Sequence, residues 1–72
     1  MQVKTAGISN AKWIGNSMKA YLDGSNGDLN WIVGIIIASS DMVGAKEMLI
    51  SLQNYGDRQR HRELSNWFLS QA

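Results

Sequence analysis

The chain has 72 residues, 44% hydrophobic and 18% charged, a composition that makes one globular domain over 1–72 and excludes a disordered chain. It has no cysteine and one histidine, which excludes disulfides, thiolate–zinc sites and a His-rich metal centre. Seven Lys and Arg against six Asp and Glu leave a net charge of +1, too little for the phosphate attraction of a dedicated nucleic-acid binder.

A chain this short buries only ~60% of its unfolded surface, and its single core supplies about 3–5 kcal/mol net. With no disulfide or metal to support that core, a homo-oligomer is expected. The stretch MQVKTAGISN lacks the apolar centre of a signal peptide. The longest apolar run, WIVGIIIA at 31–38, is far shorter than the ~20 residues of a membrane span. The expectation is therefore no membrane partner and a cytoplasmic location.

Residues 1–8 read as an irregular or extended arm. The first helix opens at Ser9 or Asn10, either able to cap, and stops before Gly24. Ala11, Ile14, Met18, Tyr21 and Leu22 recur at helical spacing, with Lys12, Asn16, Lys19 and Asp23 opposite. Gly15 lies beside the stripe, where it costs about 1 kcal/mol relative to alanine and lets another backbone come close.

DGSNGD, residues 23–28, is a turn ending in the N-cap Asp28. Its acids do not make a calcium loop. Counted from Asp23, Asp28 stands where an EF-hand needs glycine, and Gly34 where it needs glutamate.

Residues 28–39 are ambiguous between helix and strand, because five of the six residues 32–37 are β-branched. A strand needs partners, and only QVKTAGI is available, so a helix central to the core is expected. Asn30, Gly34 and Ala38 would form a small-residue ridge on it, suited to close helix contact.

The third segment is capped by Ser40 or Asp41 and ended by Gly56, with Met42, Ala45, Leu49 and Leu52 as its apolar stripe. Met48 and Tyr55 widen that stripe. Val43, Glu47, Ile50 and Asn54 form a second ridge facing away. The fourth starts at the N-cap Asp57 and runs to about Ser70, with Leu64, Trp67 and Phe68 facing inward and His61 one turn earlier. The fold class is all-α: four short helices in a small bundle or orthogonal array. Trp13, Trp31 and Trp67 all sit in apolar segments and are expected in the core.

Three arginines and the only histidine fall within 58–62. At about 100° per residue Arg58 and Arg62 share a ridge with Ser65 and Leu69, while Arg60 points elsewhere, beside Trp67 and Glu63. They are not one stripe, and Glu63 would repel phosphate. A helix-turn-helix over the third and fourth segments wants an aliphatic residue about six positions after the turn glycine, where this chain has Arg62.

A plain solvated helix start ranks ahead of any functional reading of these arginines. Against it, cations at a helix N-terminus oppose the macrodipole, each at about 0.3–1 kcal/mol. Arginine is also enriched where proteins dock. His61, flanked by arginines, reads as a packed or surface residue rather than a catalyst; no nucleophile elbow or Gly-rich phosphate loop accompanies it.

No catalytic, cofactor-binding or metal-binding residue is assigned. The function expected is that of a small non-enzymatic protein, of the size common among bacterial and phage accessory proteins, that acts by binding another protein. It would do so as a regulator, inhibitor or assembly factor. Arg58, Arg60, Arg62, Leu69 and Ile50 are the candidate partner-binding residues. A small DNA-binding regulator using the 57–70 helix is the alternative.

Overall fold

The computed structural model describes residues 5–71. These form four helices and no strand: α1 (Thr5–Leu22), α2 (Leu29–Ser39), α3 (Met42–Ser51) and α4 (Arg58–Ser70). The β-branched run at 32–37 is helical, as the lack of a second strand requires. None of the described helices is long and apolar enough to cross a membrane.

α1 is the hub, packing against each of the other three, while α3 also meets α2 and α4. The buried core takes Ile14, Met18, Tyr21 and Leu22 from α1, Ile32 and Ile36 from α2, Ala45 and Leu49 from α3, and Leu64 and Phe68 from α4. Each pair or quartet follows three- and four-residue steps, so one face of every helix is spent on a shared interior. Trp67 meets Phe68 edge-on at 5.1 Å between ring centroids. Trp31 and Trp67 are half-buried against this core, but Trp13 is 42% exposed, contrary to expectation. It sits at the edge of the Ile14–Met18 stripe instead of within it.

The start of α1 also differs from expectation. Ser9 and Asn10 lie inside the helix, and residues 5–8, expected as part of an arm, are helical. No proline stops a helix there, and Gly7 alone is too weak a breaker at about 1 kcal/mol. Residues 1–4 of that arm, and the packing expected of Ala11, lie outside the described part. Gly15 does permit a close approach, by a side chain: a Cβ there would stand 3.3 Å from Met48 Cε.

Aspartates set the starts of the remaining helices. The carboxylate of Asp28 accepts from Asn30 N at 2.9 Å, that of Asp41 from Gly44 N at 2.9 Å, and that of Asp57 from Gln59 N at 3.0 Å. Each satisfies a backbone donor that the first turn leaves open, worth about 1 kcal/mol. Between α2 and α3 the buried Ser39 hydroxyl donates to Ile36 O at 2.6 Å and accepts from Asp41 N at 3.2 Å.

α2 buries only one side. Asn30, Gly34 and Ala38 are exposed together with Ile37, and among the described residues nothing lies within 4 Å of where a Gly34 side chain would project. Among the described residues the small-residue ridge thus makes no close helix contact. α2's main neighbours are α1 and α3, and its buried side is the Ile32–Ile36 side.

α3 ends at Ser51, well before Gly56. Leu52 N–H is shared between the carbonyls of Met48 and Leu49, both at 3.1 Å, and Gln53 and Tyr55 continue with i→i+3 bonds. This tightening converts the last expected turn of helix into a corner. Met42, expected in the core stripe, stands partly exposed in the first turn.

The corner after α3 docks onto the end of α1. Gly56 adopts φ +69° and lies against the Leu22 backbone, so a Cβ there would collide with Leu22 O. Asp57 N donates to Leu22 O at 2.8 Å, and the Tyr55 hydroxyl donates to Asp23 Oδ2 at 3.3 Å. Gly24 also has positive φ, +87°, but open space where its side chain would be. Gly24→Ala should therefore cost only the backbone strain, about 1 kcal/mol, and Gly56→Ala that strain plus a clash with unyielding backbone, about 2 kcal/mol or more. Urea denaturation of the two variants checks this; equal losses would mean that the contact at Leu22 is slack.

Candidate partner-docking site

Docking of Gly56 and Asp57 on α1 fixes where α4 begins, and with it the arginine cluster. The cluster then divides. Arg60 is half-buried and turns back toward α1: its guanidinium carbon stands 5.2 Å from the centroid of the Tyr21 ring, and Nη1 donates to Gly27 O at 2.9 Å. The sequence placed Arg60 beside Trp67 and Glu63; its bonded partners lie far away in the chain, on α1 and the 23–28 turn. Tyr21 is buried, and burial, with Glu63 adding to it, raises its hydroxyl above the ordinary tyrosine pKa despite the nearby Arg60. The phenol stays neutral, so the guanidinium is held by the ring face and not by a phenolate.

His61 is likewise engaged. Its Nε2 lies 2.8 Å from Leu49 O, in the last turn of α3. A carbonyl can only accept, so Nε2 carries the hydrogen and the ring supplies a donor to a helix end short of them.

Arg58 and Arg62 are exposed, and among the described residues neither makes a hydrogen bond or ion pair. With His61, Gln53 and Asn54 they line an open cleft of about 310 Å³ between the start of α4 and the corner after α3. No carboxylate lines it. On the other side of α4, a cleft of about 240 Å³ holds Tyr21, Arg60, Asp57 and Glu63. The N-terminal half of α4 thus has an acid-free cationic side and a side where one arginine sits among two acids.

The structure brings Arg58 and Arg62 together and separates Arg60 from them. Leu69 is exposed further along their ridge, and Ile50 is exposed on α3; neither lines the cleft. Ile37 and Val43 are also more than half exposed. Sequence reasoning missed Gln53 and Asn54 as cleft walls, because it extended α3 through them. The polar pair QN ahead of Tyr-Gly was the available signal for a corner.

Compared with known proteins, the chain matches no protein-family model, no curated protein and no solved structure.

The division of the cluster has a thermodynamic consequence. Arg60→Ala removes the stacking on Tyr21 and the bond to Gly27 O, and should lower stability by about 1–2 kcal/mol. Arg58→Glu removes no bond, relieves the like-charge pair with Arg62 and places an anion in the first turn of α4, which should be neutral or stabilising by about 0.3–1 kcal/mol. Thermal melts of the two variants should move in opposite directions or separate clearly; a larger loss for Arg58→Glu would contradict the assignment.

Proposed function

We propose that the chain is a non-enzymatic protein that acts in the cytoplasm by binding another protein, as a regulator, inhibitor or assembly factor. The observation that carries this reading is the ridge of α4 on which two arginines, without partners among the described residues, precede the exposed Leu69. Free arginines next to apolar surface are what a docking face offers: planar donors for carboxylates and area to bury. Ile50 and Val43 supply further apolar surface on α3. A duplex-reading α4 is less well supported, since its cationic ridge ends after two residues and Arg62, in the place of a packed aliphatic, is solvent-exposed.

The test is affinity purification from the native host with the wild type and with Arg58→Glu/Arg62→Glu, whose fold is checked by circular dichroism. A stoichiometric protein retained by the wild type and lost by the variant supports the reading. The free wild type should bind random duplex DNA no tighter than ~10⁻⁴ M at physiological salt. Submicromolar, salt-sensitive duplex binding would replace it with the DNA reading.

Self-association belongs to the same proposal. The exposed Ile37, Val43 and Ile50 and the small core favour a dimer or tetramer at micromolar concentration. Sedimentation equilibrium should give a mass above that of one chain. A monomer throughout the concentration range would leave those residues to a different protein.

A further inference from the structure

We propose that the cleft at the start of α4 receives a carboxylate from an acidic segment of the partner protein, with Arg58 and Arg62 as its ligands. This rests on the docking reading above and names the chemistry that the docked partner presents.

Four observations point to an anion there. Arg58 and Arg62 both line the cleft, and neither has a protein partner among the described residues. No aspartate or glutamate lines it, whereas Asp57 and Glu63 both line the cleft on the Arg60 side. Arg58 and Arg62 are one helical turn apart, which puts their Cβ atoms about 5–6 Å from each other, close enough for two guanidinium forks to meet on one carboxylate. Gln53 and Asn54 add neutral amide donors on the wall of the cleft. An anion seated here also offsets the like-charge repulsion between the two and the unfavourable position of Arg58 in the first turn.

The shape of the charge favours a protein carboxylate over nucleic-acid phosphates. A duplex backbone is met by a row of cations. Here the row is two residues long, runs on into Ser65 and Leu69, and has the exposed Glu63 in the next residue after Arg62. A segment with an acid followed by an apolar residue fits that order.

The test is an NMR titration of the full chain, observing the arginine Nε–H signals. The probes are a short peptide of Glu, Leu and Ser, its Gln-for-Glu counterpart, inorganic phosphate and a short random-sequence DNA duplex. The acidic peptide should move the signals of Arg58 and Arg62 and leave that of Arg60 in place. It should bind at least about tenfold tighter than the Gln peptide, a factor set by the charge-assisted bonds. Arg58→Ala/Arg62→Ala should abolish this binding without lowering the melting temperature. Arg58→Lys/Arg62→Lys, which keeps charge and loses the forks, should weaken it severalfold.

Equal binding of the Gln peptide, undiminished binding by the double alanine variant, or tighter binding of phosphate or duplex than of the acidic peptide would each overturn the proposal. The two levels fail separately. A host protein still captured by the double alanine variant sinks the carboxylate site and leaves protein docking intact, through the apolar face of α3. Acidic-peptide binding as described, with no host protein captured, upholds the carboxylate chemistry and sinks the docking reading.

Discussion

The contact of Gly56 and Asp57 with the end of α1 is the constraint on which the rest of the molecule depends. Leu22 is fully buried, so its carbonyl, at the last turn of α1, needs a donor it cannot take from water. Asp57 N supplies one at 2.8 Å, and only a residue without a side chain, in a left-handed conformation, can stand immediately before that donor. One carbonyl thereby fixes both the path of the 52–57 corner and the first residue of α4. The 23–28 turn is drawn into the same seam, through Tyr55 to Asp23 and Arg60 to Gly27 O. In a domain with so little core, two turns that brace one another replace part of what a disulfide would otherwise do.

That seam also explains how neighbouring arginines come to have unrelated roles. Once α4 starts at Arg58 with its Leu64–Phe68 side toward the core, position 60 is turned toward α1 and positions 58 and 62 toward solvent. Arg60 finds a ring face and a carbonyl; among the described residues Arg58 and Arg62 find neither. Nothing about the three side chains differs except their angle around one helix and what the seam has placed there. His61, between them, ties α4 to the last turn of α3.

Much of the fold was legible in the sequence because it rests on local rules. Asp28 and Asp57 could be assigned as caps from their positions ahead of apolar periodicity, and the cap of α3 could be narrowed to Ser40 or Asp41, of which the structure uses Asp41. The stripes Ile14–Met18–Tyr21–Leu22 and Leu64–Phe68 follow from spacing alone. What could not be read was set by partners distant in the chain. The end of α3 depends on a corner that must reach Leu22 and on a carbonyl taken by His61. The Asn30–Gly34–Ala38 ridge has the composition of a helix contact, yet whether a helix faces it depends on where α1 and α3 lie. For the site, the shared ridge of Arg58 and Arg62 was legible as periodicity, while the partners of Arg60 were not, since Tyr21 and Gly27 belong to other elements.

Arg58 and Arg62 differ from ordinary surface arginines in their position on α4. A solvated cation is unremarkable where the local field is neutral, but Arg58 stands in the first turn of α4, which carries a partial positive charge, and Arg62 follows one turn later on the same ridge. The same helix shows that the chain can handle a cation there, because Arg60 is compensated by a ring, a carbonyl and two nearby acids. Among the described residues Arg58 and Arg62 receive none of these, and Asp57 and Glu63, the acids next to them in the chain, line the opposite cleft. The fold thus neutralises one of three closely spaced arginines and leaves the other two beside a cleft that no aspartate or glutamate lines, the arrangement that the proposed carboxylate would complete.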